Sequence, residues 1–351
     1  MSKIAIFMGA GASKPFGFPL TNELLPLIKE EMNSGSLFGR SKKAKQDVAD
    51  LKEFLRTLLP GFNLPGLELP LITDILSLID HSLVASNLPL PRKAAPDLLR
   101  FRVLLERAIF EVLEWPYGDD DVPDCLVQFA DWLDFQSTSK KKSVGIISTN
   151  YDIAVEVELF EKYKHEDIEH RFDFGICWRD PFKNALYKRP ASPLFQLYKL
   201  HGSLNWLRCD LCEHVYINAW GVIAQRAFDE RIGDYNSCHC GHALLRSVLV
   251  APSLVRDIRD SNLLEIWKNA LEFLRTASEW IIIGYSFPPE DIAIRSLFIR
   301  AFQGRKKAPR IRVIQKDHNQ TVFSRYKLFF PDCVYETGGL EGFVSKFSST
   351  A

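Results

Sequence analysis

The chain has 351 residues, 46% of them apolar and 12% aromatic, enough for a substantial core in one large domain with insertions or in two domains. Its 44 basic residues balance 44 acidic ones, which argues against direct nucleic-acid binding or a membrane-surface protein. No apolar stretch approaches the about twenty residues that span a bilayer, and the first residues form a core-strand pattern rather than a secretion signal. A cytoplasmic protein is expected, with its seven cysteines read as thiols or metal ligands rather than disulfides.

Ile4 to Met8 is a short apolar run, the pattern of a strand buried on both faces of a parallel sheet. It leads into Gly9-Ala10-Gly11-Ala12-Ser13, and an apolar helical pattern follows from Leu24 to about Met32. Strand, glycine turn and helix in that order can aim backbone N–H groups at a phosphate, and Gly9 and Gly11 would let a ligand lie against the backbone. The dinucleotide fingerprint would place a third glycine at Lys14, so the turn is also compatible with a tight strand–helix connection that holds no ligand. Asn33 to Lys45 reads as a loop. From Asp47 to Phe135 nearly every segment has helical period, with breaks at Pro60, Pro65, Pro89-Leu90-Pro91, Pro116 and Pro123.

Strand patterns return at Val144–Ser148, Leu197–Leu200, Val248–Val250, Trp280–Ile283, Ile311–Ile314 and Val334–Tyr335. Helical patterns lie between several of them, notably at Asp152–Lys162, Leu263–Ala277 and Asp291–Phe302. The expected fold is α/β, a doubly wound, mostly parallel Rossmann-like sheet with a helical insertion and a small zinc-ribbon module. The expected division is 1–32 for the first strand, glycine loop and helix, 33–140 for the insertion, 141–207 for the continued sheet domain, 208–243 for the zinc module and 244–351 for completion of the sheet.

Ligands of such sheets sit beyond the carboxyl ends of the strands. The residues there are Gly9 to Ser13, then Thr149-Asn150-Tyr151-Asp152, His201-Gly202-Ser203, Gly284-Tyr285-Ser286 and Gln315. Each has a plain alternative. Asn150 and Asp152 could cap the next helix, His201 could be a core histidine, and Gly284 a turn glycine.

Taken together and in order, Gly9–Ser13, Ser148–Asp152, Leu200–Ser203 and Gly284–Ser286 resemble the motifs of the sirtuin-like NAD-dependent family. The resemblance runs from about Ile4 to Gly339 and skips the helical insertion. It implies that Gly9, Ala10, Gly11, Ala12 and Ser13 hold the NAD pyrophosphate, with Thr21, Thr149, Gly284, Tyr285, Ser286 and Gln315 also binding NAD. It implies Asn150 and Asp152 beside the nicotinamide ribose and His201 as the catalytic base. Deacylases of the family carry an Ile-Pro-Asp-Phe-Arg stretch after the glycine loop, where this chain has Phe16-Gly17-Phe18-Pro19-Leu20-Thr21. They also carry a Phe-Gly-Glu segment that pairs with acyl-lysine peptide, where this chain has Val250-Ala251-Pro252-Ser253-Leu254-Val255. Gly284 to Asp291 is more similar to bacterial sirtuin-like proteins that consume NAD in antiphage defence.

Cys209-Asp210-Leu211-Cys212 and Cys238-His239-Cys240 form two close pairs, the spacing of a structural zinc site. The second pair is one residue tighter than usual, so His214, His239 or His242 could replace a thiolate. The expected activity is hydrolysis of NAD to nicotinamide and ADP-ribose, with NAD-dependent deacylation and NAD or ADP-ribose sensing as alternatives. Control by homo-oligomerisation or by a partner ATPase or sensor protein is expected, because an unrestrained NAD hydrolase would be toxic.

Overall fold

The computed structural model describes residues 2–84, 95–113, 122–223, 227–228, 238–241, 245–249 and 260–348. Along the chain these form β1 (Lys3–Met8), α1 (Ala10–Ser13), α2 (Thr21–Ser34), α3 (Lys42–Leu58), α4 (Ile72–Val84), α5 (Ala95–Val112) and α6 (Asp124–Ser137). There follow β2 (Ser143–Ser148), α7 (Ala154–Lys162), α8 (Ile168–Arg171), β3 (Phe172–Asp173), β4 (Trp178–Arg179), β5 (Leu186–Tyr187), β6 (Phe195–Lys199), β7 (Gly202–Cys209), β8 (Val215–Ile217) and β9 (Leu245–Leu249). The last part comprises α9 (Ser261–Thr276), β10 (Glu279–Ile283), α10 (Ile292–Phe302), β11 (Arg310–Ile314), α11 (Gln320–Phe329), β12 (Val334–Glu336) and α12 (Gly339–Ser348). No helix among the described residues is long and apolar enough to cross a membrane.

The elements fall into two units, 1–18 with 115–248 and 258–351, and 19–114 with 249–257. The first unit is built on a seven-stranded sheet in the order β12-β11-β10-β1-β2-β6-β3, with every pairing parallel. The chain starts in the middle at β1, passes through β2 to the edge strand β3, returns to insert β6 between them, and then crosses to β10 on the other side. This is the doubly wound α/β arrangement, with its switch of direction between β1 and β10. The central strands Ile4–Met8 and Trp280–Ile283 are buried throughout, as continuous apolar runs in a parallel sheet should be.

Helices cover both faces. On one side Phe273 of α9 packs where β2 has Gly145: a Cβ there would lie 2.4 Å from the ring. On the same side Phe7 and Trp280 meet Phe298 of α10 at 4.8 and 5.7 Å. Elsewhere in the layers Trp132 of α6 meets Phe343 of α12 edge-on at 4.9 Å. Each such buried side chain contributes on the order of 1.5–3 kcal/mol.

A second sheet in the same unit has the order β5-β4-β8-β7-β9 and mixes parallel and antiparallel pairs. Two corrections to the sequence reading arise here. The strand expected at Val248–Val250 is β9, which joins this second sheet rather than the parallel one, and Val250 lies outside the described residues. Strands β3, β4, β5, β7 and β8 were not expected, since two- and three-residue strands are too short to show a period and β7 is buried along nearly all its length.

In the second unit, the described residues of 19–114 form helices α2 to α5 and their connections. Helix α2 runs from Thr21, three residues before the expected start, because the Leu20 N–H bonds Glu23 Oε2 at 2.7 Å and closes the first turn. Helix α3 starts at Lys42 inside the expected loop, capped by Ser41, whose hydroxyl accepts from the Ala44 N–H at 3.0 Å. Phe54 and Phe101 stack at 4.2 Å, and Arg100 spans Asp47 and Asp50 at 2.7 and 2.6 Å. Of the expected 33–140 insertion, residues up to 114 lie in this unit together with α2, whereas α6 belongs to the first.

The outermost pair of the parallel sheet carries its own electrostatic tie. Arg312 of β11 reaches Glu336 of β12 with two bonds, at 2.6 and 3.1 Å, and Lys346 joins at 2.8 Å. The Arg312 guanidinium bonds hold the Glu336 carboxyl down from 4.5 to about 2. Because the folded value is depressed, the stability it supplies is complete above 4.5 and is lost as pH falls toward about 2. Thermal melts of Glu336→Gln against the parent should show a lower melting temperature at neutral pH and a gap that narrows through that acid window. A gap independent of pH would contradict this assignment.

Candidate functional site

The register brings the strand ends level. Met8 lies opposite Ser148 and Ile283, Ser148 opposite Lys199, and Ile283 opposite Ile314. Gly9, Thr149, Leu200, Gly284 and Gln315 therefore form one row at the carboxyl edge of the sheet.

At the switch point two backbones touch. Gly9 N–H donates to the Ile283 carbonyl at 3.0 Å, and Gly11 N–H to the Gly284 carbonyl at 2.9 Å. Ala12 N–H closes onto the Gly9 carbonyl at 2.9 Å, starting α1 directly after the strand. A Cβ on Gly9 would lie 2.7 Å from the Gly284 oxygen, and one on Gly11 2.9 Å from it. The space left by these missing side chains is filled by the facing peptide. Gly284, at φ +61, is tighter still: its Cβ would sit 2.0 Å from the Ala12 nitrogen.

Beside this contact lies a connected set of polar side chains. Asn150 Nδ2 donates to the Gly9 carbonyl and to Ser13 Oγ, both at 2.9 Å. Ser13 Oγ in turn donates to Asp152 Oδ2 at 2.7 Å, while Asp152 Oδ1 accepts the Ala154 N–H at 3.3 Å. Both Asn150 amide protons are thus committed, and what this side chain can offer a ligand is its carbonyl oxygen. Asp152 is 6% exposed, precedes the α7 N-cap residue Ile153, and orients Ser13. His201 stands two residues beyond β6, 4% exposed, with Nδ1 3.2 Å from the Thr149 carbonyl. A carbonyl only accepts, so Nδ1 carries the proton and Nε2 the lone pair of the neutral ring.

The remaining sequence-predicted residues divide. Thr149 binds back to the Met8 carbonyl through its N–H at 3.1 Å and its hydroxyl at 3.3 Å. The Tyr285 carbonyl accepts from Gln315 Nε2 and from the Tyr326 hydroxyl, each at 2.7 Å, and the Tyr285 hydroxyl donates to Asp291 at 2.8 Å. Gln315 thereby braces the Gly284–Ser286 turn. Ser286 is exposed at the rim, Ala10 half-buried in the loop, and Thr21 the first residue of α2 in the second unit.

Sequence reasoning passed over Lys199 and Glu156. They form a buried ion pair at 2.8 Å, with side chains 5% and 8% exposed, and Lys199 Nζ also donates to the Asp152 carbonyl. The available signal was a lysine inside the otherwise apolar Leu197–Leu200 run.

The cysteines of β7 and its surroundings converge separately. The Sγ atoms of Cys209, Cys212, Cys238 and Cys240 all lie within 4.8 Å of one another, as free thiols. Cys209 and Cys240 are 3.7 Å apart and Cys212 and Cys238 3.3 Å. A tetrahedral cation at about 2.3 Å from each sulfur would set them about 3.8 Å apart, so the set fits such an ion after small adjustments. The turn is fixed by Glu213 N–H to Cys209 carbonyl and Cys209 N–H to His214 carbonyl, at 2.9 and 3.1 Å. Burial and the neighbouring thiols push the Cys212 thiol up to about 12, a condition that a coordinated divalent cation would reverse. His214 and His239 form a further group with Cys212, and Tyr216 links His239 Nδ1 to Cys238 Sγ at 3.1 and 3.2 Å. His242 lies outside the described residues.

No family model matches the chain, and no curated protein does. Among solved structures the chain is similar to a Sir2 in complex with an inhibitor, 2′-O-acetyl-ADP-ribose and a deacetylated peptide. That likeness has 12% identity, covers 99% of this chain and 93% of that one, and has a TM-score of 0.43. It is also similar to a Sir2 homologue in complex with NAD, at 15% identity, 99% and 91% coverage and TM-score 0.45. A point mutant of a Sir2 homologue in complex with ADP-ribose gives 15% identity, 100% and 95% coverage and TM-score 0.42. The fold assignment stands on the strand order and register described above.

The switch-point contact is open to direct measurement. Gly284→Ala should cost on the order of 3–5 kcal/mol in denaturant unfolding, since it adds steric overlap with the Ala12 peptide to a left-handed backbone. Gly304→Ala shares the positive φ, at +73, but meets nothing within 4 Å, and should cost only about 1 kcal/mol. Equal losses in the two variants would mean that the backbone contact contributes little.

Proposed function

We propose that the chain binds NAD along the carboxyl edge of the parallel sheet and hydrolyses its nicotinamide–ribose bond, releasing nicotinamide, ADP-ribose and a proton. The observation that carries this reading is the convergence of Asn150 and His201 on level ends of two adjacent strands, next to the β1–β10 switch point. Breaking that bond develops positive charge on the ribose, and an attacking water must be held and then deprotonated. The Asn150 carbonyl oxygen can orient the water or a ribose hydroxyl. His201 Nε2, on an imidazole that ordinarily titrates near neutrality, can take the proton. Asp152 acts through Ser13 and is a positioning residue in this scheme.

The Gly9–Ser13 loop would meet the pyrophosphate, with Ala10 and the outer side of the loop as its contacts, because the Gly9, Gly11 and Ala12 amides already serve protein carbonyls. Ser286, Tyr285 and Gln315 would meet the rest of NAD, Gln315 through the turn it braces. The resemblance of Gly284–Asp291 to the bacterial defence branch supports a role in antiphage defence by NAD depletion, with self-association or a partner ATPase or sensor as the control. The segment Val250–Val255, on which the distinction from a deacylase partly rests, lies outside the described residues. The four cysteines would hold one zinc ion with no open position, so that the metal secures the small sheet rather than joining the chemistry.

Purified protein given NAD alone should release nicotinamide and ADP-ribose, under conditions that favour self-association if the resting protein is latent. His201→Ala and Asn150→Ala should each lower turnover by roughly two or more orders of magnitude with KM changed little. Product formation only with an acyl-lysine peptide, as O-acyl-ADP-ribose, would make the enzyme a deacylase, and full activity in His201→Ala would remove the base assignment.

The metal has its own readout. Elemental analysis of protein purified without chelators should find about one zinc per chain, and Cys209→Ala should lose it with a marked fall in melting temperature. A metal-free, equally stable parent would rule the site out.

A further inference from the structure

We infer that the buried Lys199–Glu156 pair is a positioning device for the candidate site, holding the 149–153 turn so that Asn150 and His201 keep one common geometry. In its kinetic arm the inference rests on the NAD reading above. Lys199 ends β6, two residues before His201, and Glu156 lies in the first turn of α7, four residues after Asp152. Lys199 Nζ joins them, 2.8 Å from Glu156 Oε1 and bonded to the Asp152 carbonyl. From Asp152 the bonds run through its carboxylate to Ser13, from Ser13 to Asn150, and from Asn150 to the Gly9 carbonyl. On the other branch, β6 carries His201 to the Thr149 carbonyl. Each step ties a strand end to the next, so the lysine fixes both the residue that would orient the nucleophile and the residue that would deprotonate it.

Fold stability alone does not account for charges at this place. A buried ion pair is seldom more stable than apolar side chains of the same shape, because two ions must be stripped of water. That penalty is visible at Glu156, whose carboxyl is raised by burial against the pull of Lys199, with the nearby Asp152 carboxylate adding to the rise. The one cation meets a single carboxylate and a backbone carbonyl. Its three donors can meet the Glu156 carboxylate and the Asp152 carbonyl at once, which an apolar side chain of the same length cannot do. Without it the Asp152 carbonyl would be a buried acceptor lacking its lysine partner, and the turn would be released to find another.

The test is the double variant Lys199→Met/Glu156→Leu, which removes both charges together and strands neither. Two readouts are taken: steady-state NAD hydrolysis, and amide hydrogen exchange at Asn150 and Ala154 with Ile6 and Ile281 of the central strands as internal standards. The expected result is a folded protein whose kcat falls about tenfold or more while KM stays within about twofold, as for a misplaced catalytic group. Exchange at Asn150 and Ala154 should rise by about tenfold or more with the standards unchanged. A folded double variant with parental exchange and parental kcat would overturn the inference and leave the NAD reading intact. A parent protein that never hydrolyses NAD, with exchange still raised in the variant, would sink the NAD reading and uphold the positioning role. If the double variant does not fold, Glu156→Gln, which keeps the shape and removes one charge, is read in the same way: raised exchange supports the inference and parental exchange overturns it.

Discussion

Everything at the candidate site hangs on one close approach, that of the Gly284 peptide to the Gly9–Ala12 turn. Two parallel strands at the centre of the sheet end level, and their connections must leave in opposite directions. The connections can pass only if neither carries a side chain at the crossing. Gly9 and Gly11 clear space for the Gly284 carbonyl, and Gly284 both clears the Ala12 amide and adopts a left-handed backbone. The carbonyl so placed accepts the Gly11 N–H, which converts a steric allowance into a directed bond. The glycines that read as a ligand cradle are in the first place the condition for the sheet to close at its centre.

Around that contact polar groups are ordered by matching donors with acceptors. Asn150 has two amide protons and meets two oxygens; Ser13 has one hydroxyl proton and sends it to Asp152. Such a chain is rigid because reversing any one member strands its neighbours in a site with little water. Beside it stand the Asn150 amide, bonded to the Gly9 carbonyl, and the His201 ring, bonded at Nδ1 to the Thr149 carbonyl. In the proposed hydrolysis these two side chains would orient a water and accept its proton, and their origin beyond β2 and β6 is reconciled by the common register.

The cysteine cluster obeys different physics. Among the described residues, the buried apolar groups around it are chiefly Leu207, Tyr216, Ile223 and Leu245. Four thiols drawn within 4.8 Å of one another are costly as anions and weakly interacting as neutral groups, and a bound cation would resolve both conditions.

Much of this was legible in the sequence, and the boundary has a physical basis. The apolar runs at Ile4–Met8, Val144–Ser148, Trp280–Ile283 and Ile311–Ile314 identify the central parallel strands, because burial on both faces leaves no polar alternation. Helix period located α7, α9 and α10 to within two residues, and the paired cysteines marked the thiol cluster. The residues just beyond each strand could be listed by position alone, since chain direction decides which end of a parallel sheet is open. What the sequence could not supply is which of them meet. That Asn150 bonds Ser13, that Gln315 bonds the Tyr285 carbonyl, and that Lys199 reaches Glu156 depend on register between elements that are not neighbours in sequence. Nor could local pattern assign the short strands of the second sheet, whose pairing is set by remote partners. Local sequence determined which residues stand at the edge; only tertiary packing decided that a glycine faces a peptide there and that a buried charge lies beneath it.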